Sequence, residues 1–188
     1  MNILRKLSMV AIGCSFMATM STSILAENLV IINEKLENTP KGWAKQAEFS
    51  LNIDGGVQII LNQAKWSGVS MNYANYGKKN PLVTDLGKYS HLQLTLTIDP
   101  SSSKTNPLAV TLGDTSNAKS LAVNLGKHYG KALPKGEKVT VDIPLNAFVD
   151  GEKALDRSKI WELIIGAFSG NEVKDLKLIL HSVQFTAE

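Results

Sequence analysis

Four aromatic residues of this 188-residue chain stand in polar company: Trp66, Tyr73, Tyr76 and Tyr129. Gln63, Asn72, Asn75 and Asn80 lie near the first three, while Asn124 and His128 lie beside Tyr129. Flat aromatic faces can stack on the C–H face of a pyranose ring, and side-chain amides pair with its hydroxyls. Gln93, Thr95 and Thr140 share the outward parity of their segments and, with Asn124, are expected to form a polar floor. The candidate ligand-binding set is therefore Trp66, Tyr73, Tyr76, Gln93, Asn124, His128 and Tyr129. Core packing competes for some aromatics. Tyr73 shares parity with Val69 and Met71, and Trp161 with Leu163 and Ile165. Aromatic content is 6%, low for a long stacking platform, which argues for a shallow or loop-built site.

Residues fit for catalysis are scattered. His91, His128 and His181 lie far apart in sequence, and none falls in an H-x-x-x-H pattern. Asp114, Asp150 and Asp156 fall in turn contexts, where aspartate accepts hydrogen bonds from its own backbone. Asp54-Gly55-Gly56 is too short for a phosphate loop and is not followed by a helical pattern. The expectation is a protein that is not an enzyme.

The elements that must hold these residues are short strands. Phe49, Leu51 and Ile53 alternate with polar residues and run through Asp54-Gly55-Gly56, a hairpin signal, into Val57–Leu61. Leu92, Leu94, Leu96 and Ile98 alternate most cleanly, and Leu108–Leu112 and Leu121–Leu125 repeat the pattern. Lys138–Phe148 begins with Val139, Val141 and Ile143 on one side. It ends at Pro144, which lacks an N–H for the ladder, and Leu145, Ala147 and Phe148 then fold over the end of a core. Ile160–Phe168 is apolar on both faces, with Ile160 and Ile164 assigned to one and Trp161, Leu163 and Ile165 to the other. Such a strand is central or covered. In Leu176–Phe185 the apolar parity switches between Leu180 and Val183, so an extra residue near His181-Ser182 predicts a β-bulge. About nine or ten strands without a long amphipathic helix predict an all-β, antiparallel two-sheet sandwich or jelly roll.

Residues 1–26 read as an export signal. Arg5 and Lys6 precede the apolar Leu7–Met20, and Ala26 stands at a plausible cleavage point. The apolar run falls short of the ~20 residues of a membrane span. Cys14 follows Ala11-Ile12-Gly13, which resembles a lipoprotein box, but Ala11 stands where leucine is usual and the cysteine is expected to leave with the signal. The mature chain, 27–188, is then a single domain without cysteine, secreted or periplasmic. Losing Arg5 and Lys6 leaves a net charge of about +1, too little to argue for nucleic acid or an anionic membrane surface.

Several stretches resemble β-sandwich carbohydrate-binding modules of the galactose-binding-domain-like group. Asn28–Asn38 followed by Gly42-Trp43 resembles their opening. Asp85-Leu86-Gly87-Lys88-Tyr89-Ser90-His91-Leu92 is similar to their D-L-x-x-Y-x-x-L segment, and Val139–Phe148 to their V-x-I-P-L-x-x-F segment. Ile160 through Phe185 resembles their closing pair of strands. The resemblance implies a jelly-roll fold, a saccharide ligand, and Trp43 and Tyr89 as caps of the core. Many members hold a structural calcium. Here His181-Ser182 replaces the usual acidic pair, and Glu37 and Asp54 remain as candidate ligands. No other cofactor is expected.

The functional expectation is an exported, non-catalytic binding protein for a carbohydrate or glycoconjugate. Its site is drawn from Trp66–Asn80 and the Gly126–Tyr129 loop. The alternative is a secreted protein–protein interaction module on the same fold, for which the lysines Lys78, Lys79, Lys127, Lys131, Lys135 and Lys138 argue.

Overall fold

The structure, a computed structural model, describes residues 27–32, 42–45, 47–53, 55–61, 67–72, 83–102, 108–167 and 175–187. The export signal of residues 1–26 lies outside them. Among the described residues, eleven strands follow one another: β1 (Leu29–Ile32), β2 (Gly42–Lys45), β3 (Ala47–Ile53), β4 (Gly56–Leu61), β5 (Ser67–Asn72), β6 (His91–Ile98), β7 (Leu108–Asp114), β8 (Val123–Asn124), β9 (Lys138–Pro144), β10 (Ile160–Ala167) and β11 (Leu176–Thr186). A five-residue helix, α1 (Leu125–Tyr129), joins β8 to the segment leading into β9. The first sheet runs β3-β4-β11-β6-β9, with β1 paired to β11; the second runs β2-β5-β10-β7-β8. All the strand pairs are antiparallel. The expected all-β sandwich is the fold.

The core lies between the sheets and follows the alternation of the sequence. In β6, Leu92, Leu94, Leu96 and Ile98 are fully buried, while the intervening residues face outward. Val139, Val141 and Ile143 of β9 meet them in register. Each such aliphatic side chain removed from water contributes about 1.5–3 kcal/mol before chain entropy is counted. β9 ends at Pro144, and a 3-10 turn, Leu145–Ala147, brings Phe148 to full burial over the end of the core. Arg157 clamps this cap by donating to the carbonyls of Leu145 (3.1 Å) and Phe148. Tyr89 packs on the core beside Phe185, ring centroids 5.8 Å apart. The side chain of Trp43, the other expected cap, lies outside the described residues.

The bulge falls where the parity switch placed it. Leu180 pairs with Leu96 and Ser182 with Thr95, so His181 is the extra residue. It is buried, its Nε2 2.9 Å from the Thr97 hydroxyl.

Two sequence expectations are corrected. Leu121–Leu125 is not one strand, because β8 has only two residues before α1 begins. Asn124 caps that helix, its Oδ1 accepting from Lys127 N at 3.0 Å, and Gly130 closes it in the left-handed region at φ 84°. Leu121 is consequently exposed. β10 is the central strand of the second sheet, as its two apolar faces predict. However, a bulge between Ile160 and Glu162 resets the parity, so Ile160 joins Leu163 and Ile165 in the core and Ile164 faces away.

Candidate functional site

Among the candidate residues, Gln93, Asn124, His128 and Tyr129 are described, and they fall into two places. Gln93 lies on the outer face of the first sheet and accepts from Gln184 Nε2 at 2.9 Å. Its neighbours pair likewise: Thr95 with Thr140 at 3.0 Å, Thr97 with His181, and His91 Nε2 at 3.8 Å from Asp142. Asn124 belongs to the second sheet, across the core. The expected polar floor is thus split. Gln93, Thr95 and Thr140 share one face, and Asn124 does not belong to it.

The outer face of the second sheet is mixed in residue size. Register aligns Lys45, Gly68, Gly166, Ala109 and Asn124 in one row, Trp43, Ser70, Ile164 and Thr111 in the next, and Asn72, Glu162 and Gly113 beyond. Ser70, Ala109, Thr111, Glu162 and Ile164 are buried although they point away from the core. Glu162, which the sequence did not bring forward, accepts from the Ser70 hydroxyl at 2.5 Å and meets Lys119 Nζ at 3.2 Å. Gly113 leaves room for this carboxylate, since a Cβ there would stand 2.8 Å from it and force the Glu162 side chain to shift. At the end of β7, buried Asp114 accepts from Ser116 N (2.8 Å), Ser116 Oγ (2.7 Å), Ala118 N (3.0 Å) and Asp156 N (2.8 Å). Burial pushes its pKa up, but these four donors outweigh burial and hold it below the ordinary carboxylate value. The turn role expected of Asp114 and Asp156 is what they perform: Asp156 accepts from Ser158 Oγ at 2.6 Å and meets Lys159 Nζ at 3.0 Å.

Where the second sheet ends at α1, the surface is concave. A shallow depression of about 400 Å³ is lined by Asn124, Gly126, Lys127, Gly130, Lys131 and Ala132. Capped α1 makes its shape: Asn124 holds the helix start and Gly130 turns the chain out of it. Tyr129 is half-buried and packs on the core, with Lys131 Nζ 5.8 Å from its ring centroid. His128 is half-buried in the same helix. The lysines of this region divide. Lys127 and Lys131 line the depression, whereas Lys135 donates to the Ser102 carbonyl and Lys138 stands on β9.

Trp66, Tyr73 and Tyr76 lie outside the described residues, as do Glu37 and Asp54. The sheet nonetheless orders the ends of β5. Ser67 shares its row with Ala167 and Leu108, at the α1 end, while Asn72 shares one with Glu162 and Gly113 at the other. The chain therefore enters β5 from residue 66 at the α1 end and leaves toward residue 73 at the opposite end. Among the described residues no three His, Cys, Asp or Glu side chains gather to hold a metal ion. The position where the resembling modules carry an acidic pair holds the buried His181–Thr97 contact instead.

No protein-family model matches the sequence, and no curated protein matches it. Solved structures do resemble it. The family 11 carbohydrate-binding module of Clostridium thermocellum, determined with a β-1,3-1,4-mixed-linked tetrasaccharide, superposes with a TM-score of 0.56 at 9% identity, over 85% of this chain and 95% of that one. The family 30 module of a cellulosomal cellulase from the same organism gives 0.54 at 11% identity, over 87% and 99%. An exo-β-agarase gives 0.57 at 11% identity, and there this chain spans only 25% of the other protein's length. This chain has the β-sandwich fold of carbohydrate-binding modules. Among the described residues, no helix is long and apolar enough to cross a membrane.

Proposed function

We propose that this chain is an exported, non-catalytic module that binds carbohydrate at the α1 end of its second sheet. The observation that carries the reading is the depression walled by Asn124, Lys127 and Lys131, beside Tyr129. Its size and its lining of asparagine, lysine and glycine residues suit a saccharide hydroxyl face. The likeness in fold to a module solved with a tetrasaccharide supports the same reading. Trp66, at the point where the chain enters β5, is assigned to the stacking surface, and Tyr73 and Tyr76 to a more distant part of the ligand. The non-catalytic reading is supported by the carboxylates of the second sheet. Glu162 and Asp114 are each engaged by neighbouring donors rather than aimed at open space. Export follows from the reading of residues 1–26, with cleavage near Ala26.

The test is a screen of soluble polysaccharides, neutral and acidic, by affinity electrophoresis and calorimetry. Trp66→Ala and Ala132→Trp, which would fill the depression, are each expected to weaken binding by about tenfold or more, equivalent to at least ~1.4 kcal/mol. Absence of binding to every polysaccharide by correctly folded protein would overturn the reading. So would binding that both substitutions leave unchanged.

A further inference from the structure

We infer that the saccharide taken at the α1 depression is acidic, its carboxylate or sulfate group seated between Lys127 and Lys131. This rests on the proposed carbohydrate function and specifies its ligand class.

Several cations among the described residues already have partners. Lys119 meets Glu162 at 3.2 Å, Lys159 meets Asp156 at 3.0 Å, and Arg157 reaches two carbonyls and stands 4.0 Å from Asp150. Lys135 donates to the Ser102 carbonyl. Lys127 and Lys131, like the exposed Lys88 and Lys153, have no such partner among the described residues, and their shared place at the depression is what sets them apart. Both are exposed, and both line the depression. The lining of the depression includes two lysines and one asparagine and no acidic residue. Two exposed cations bordering one concavity make a positive local potential that favours an anion there.

Tyr129 bears on the same choice. Its ring packs on the core, and Lys131 Nζ stands over it, 5.8 Å from the centroid. A neutral pyranose stacking on that ring meets the ammonium group first. A sugar bearing an anionic substituent uses both features, because the anion pairs with Lys131 while the ring lies along the aromatic edge. Asn124 does not compete for the anion, since its Oδ1 is committed to Lys127 N and so fixes the helix that presents Lys127.

Calorimetric titration of the folded mature chain with matched oligosaccharides tests this. The probes are a neutral glucan, a uronate oligomer, a sulfated galactan oligomer and inorganic sulfate alone. The expected result is that the uronate or sulfated oligomer binds at least tenfold more tightly than the neutral one. Inorganic sulfate alone is expected to bind more weakly than either acidic oligomer. Lys127→Gln and Lys131→Gln each weaken the acidic ligand about fivefold to tenfold, whereas the exposed Lys153→Gln leaves it unchanged. Raising the salt concentration weakens the acidic ligand selectively. Equal binding of neutral and acidic oligomers, with no effect of the lysine substitutions, overturns the inference and leaves the carbohydrate reading standing. Binding of inorganic sulfate as tight as that of the acidic oligomers assigns the site to a free anion and also overturns it. No binding of any oligosaccharide removes the carbohydrate reading itself. Folding of the variants is checked by their melting temperatures, since neither lysine is buried.

Discussion

The outer face of the first sheet and the α1 end of the second are both polar, yet they differ in what their polar groups are doing. On the first sheet, the side chains pair across strands: Gln93 with Gln184, Thr95 with Thr140, Thr97 with His181. Around α1, Lys127 and Lys131 border a concavity and are held by no carboxylate among the described residues. A flat face whose groups satisfy one another offers a ligand little, because each new hydrogen bond displaces an existing one. A concave edge with unengaged donors gains on contact. Polarity alone does not mark a site; engagement separates the two regions.

The strongest way to sharpen this contrast is to remove a fully engaged group. Asp114→Asn places an amide N–H₂ against backbone donors at a buried position that now accepts four hydrogen bonds. It is expected to cost about 2–3 kcal/mol, or roughly 5–10 °C in Tm, with sugar affinity unchanged at temperatures where the variant is folded. Thermal denaturation and calorimetry check both parts. A large affinity loss with unaltered stability would reverse the assignment.

The same carboxylate sets an acid dependence. Asp114, Asp99 and Asp156 are all held below the ordinary carboxylate value: Asp114 as described above, Asp99 by Ser101, and Asp156 by Ser158 and then Lys159. A depressed pKa contributes stability that is complete above the unfolded value, near 3.9, and is lost as pH falls through the folded value. Tm should therefore be nearly flat above about pH 5 and fall progressively below about pH 4. Asp114→Asn should blunt that fall, which a pH series of melting curves would show.

Next come matched substitutions at the two regions. Asn124→Ala removes the cap of α1 and is expected to cost about 1 kcal/mol, and to weaken the sugar severalfold by loosening the depression's wall. Gln93→Ala breaks one half-buried pair and is expected to cost at most about 0.5 kcal/mol, with affinity changed less than twofold. Smallest of all is the effect of metal removal. We propose that the fold needs no calcium, since His181 fills the usual acidic position with a contact to Thr97. A chelator should then leave Tm within about 1 °C, whereas a calcium bound by the native state alone would raise it in proportion to its affinity.

Most of the fold was legible because burial has a period of two along each strand. The alternation of β6 and β9, the cap at Pro144–Phe148 and the bulge at His181 follow from parity alone. Parity failed where a local hydrogen bond replaced the strand. Asn124 starts a helix by accepting from Lys127 N, and the Asn-x-x-Lys-x-x-Gly spacing of Asn124, Lys127 and Gly130 is the signal that marks it. It failed again at the bulge before Glu162, where apolar residues on both sides hide a one-residue slip. Of the candidate residues, Asn124, His128 and Tyr129 fall together at α1, and Gln93 lies on the other sheet. Outward parity says which side of a strand a residue takes, not which of two sheets the strand enters. In the sequence, Lys127 and Lys131 argue only for a protein-interaction module, since the concavity that unites them appears once α1 is formed.

One measurement bears most directly on the central claim. In an NMR titration of the isotope-labelled chain with its best-binding oligosaccharide, backbone amides are followed in both regions. The account predicts saturable shift changes at Asn124, Gly126, Lys127, Gly130 and Lys131, with Gln93, Thr95, Thr140 and Gln184 unmoved. Shift changes concentrated on those β6, β9 and β11 residues, with the α1 amides unmoved, would contradict it.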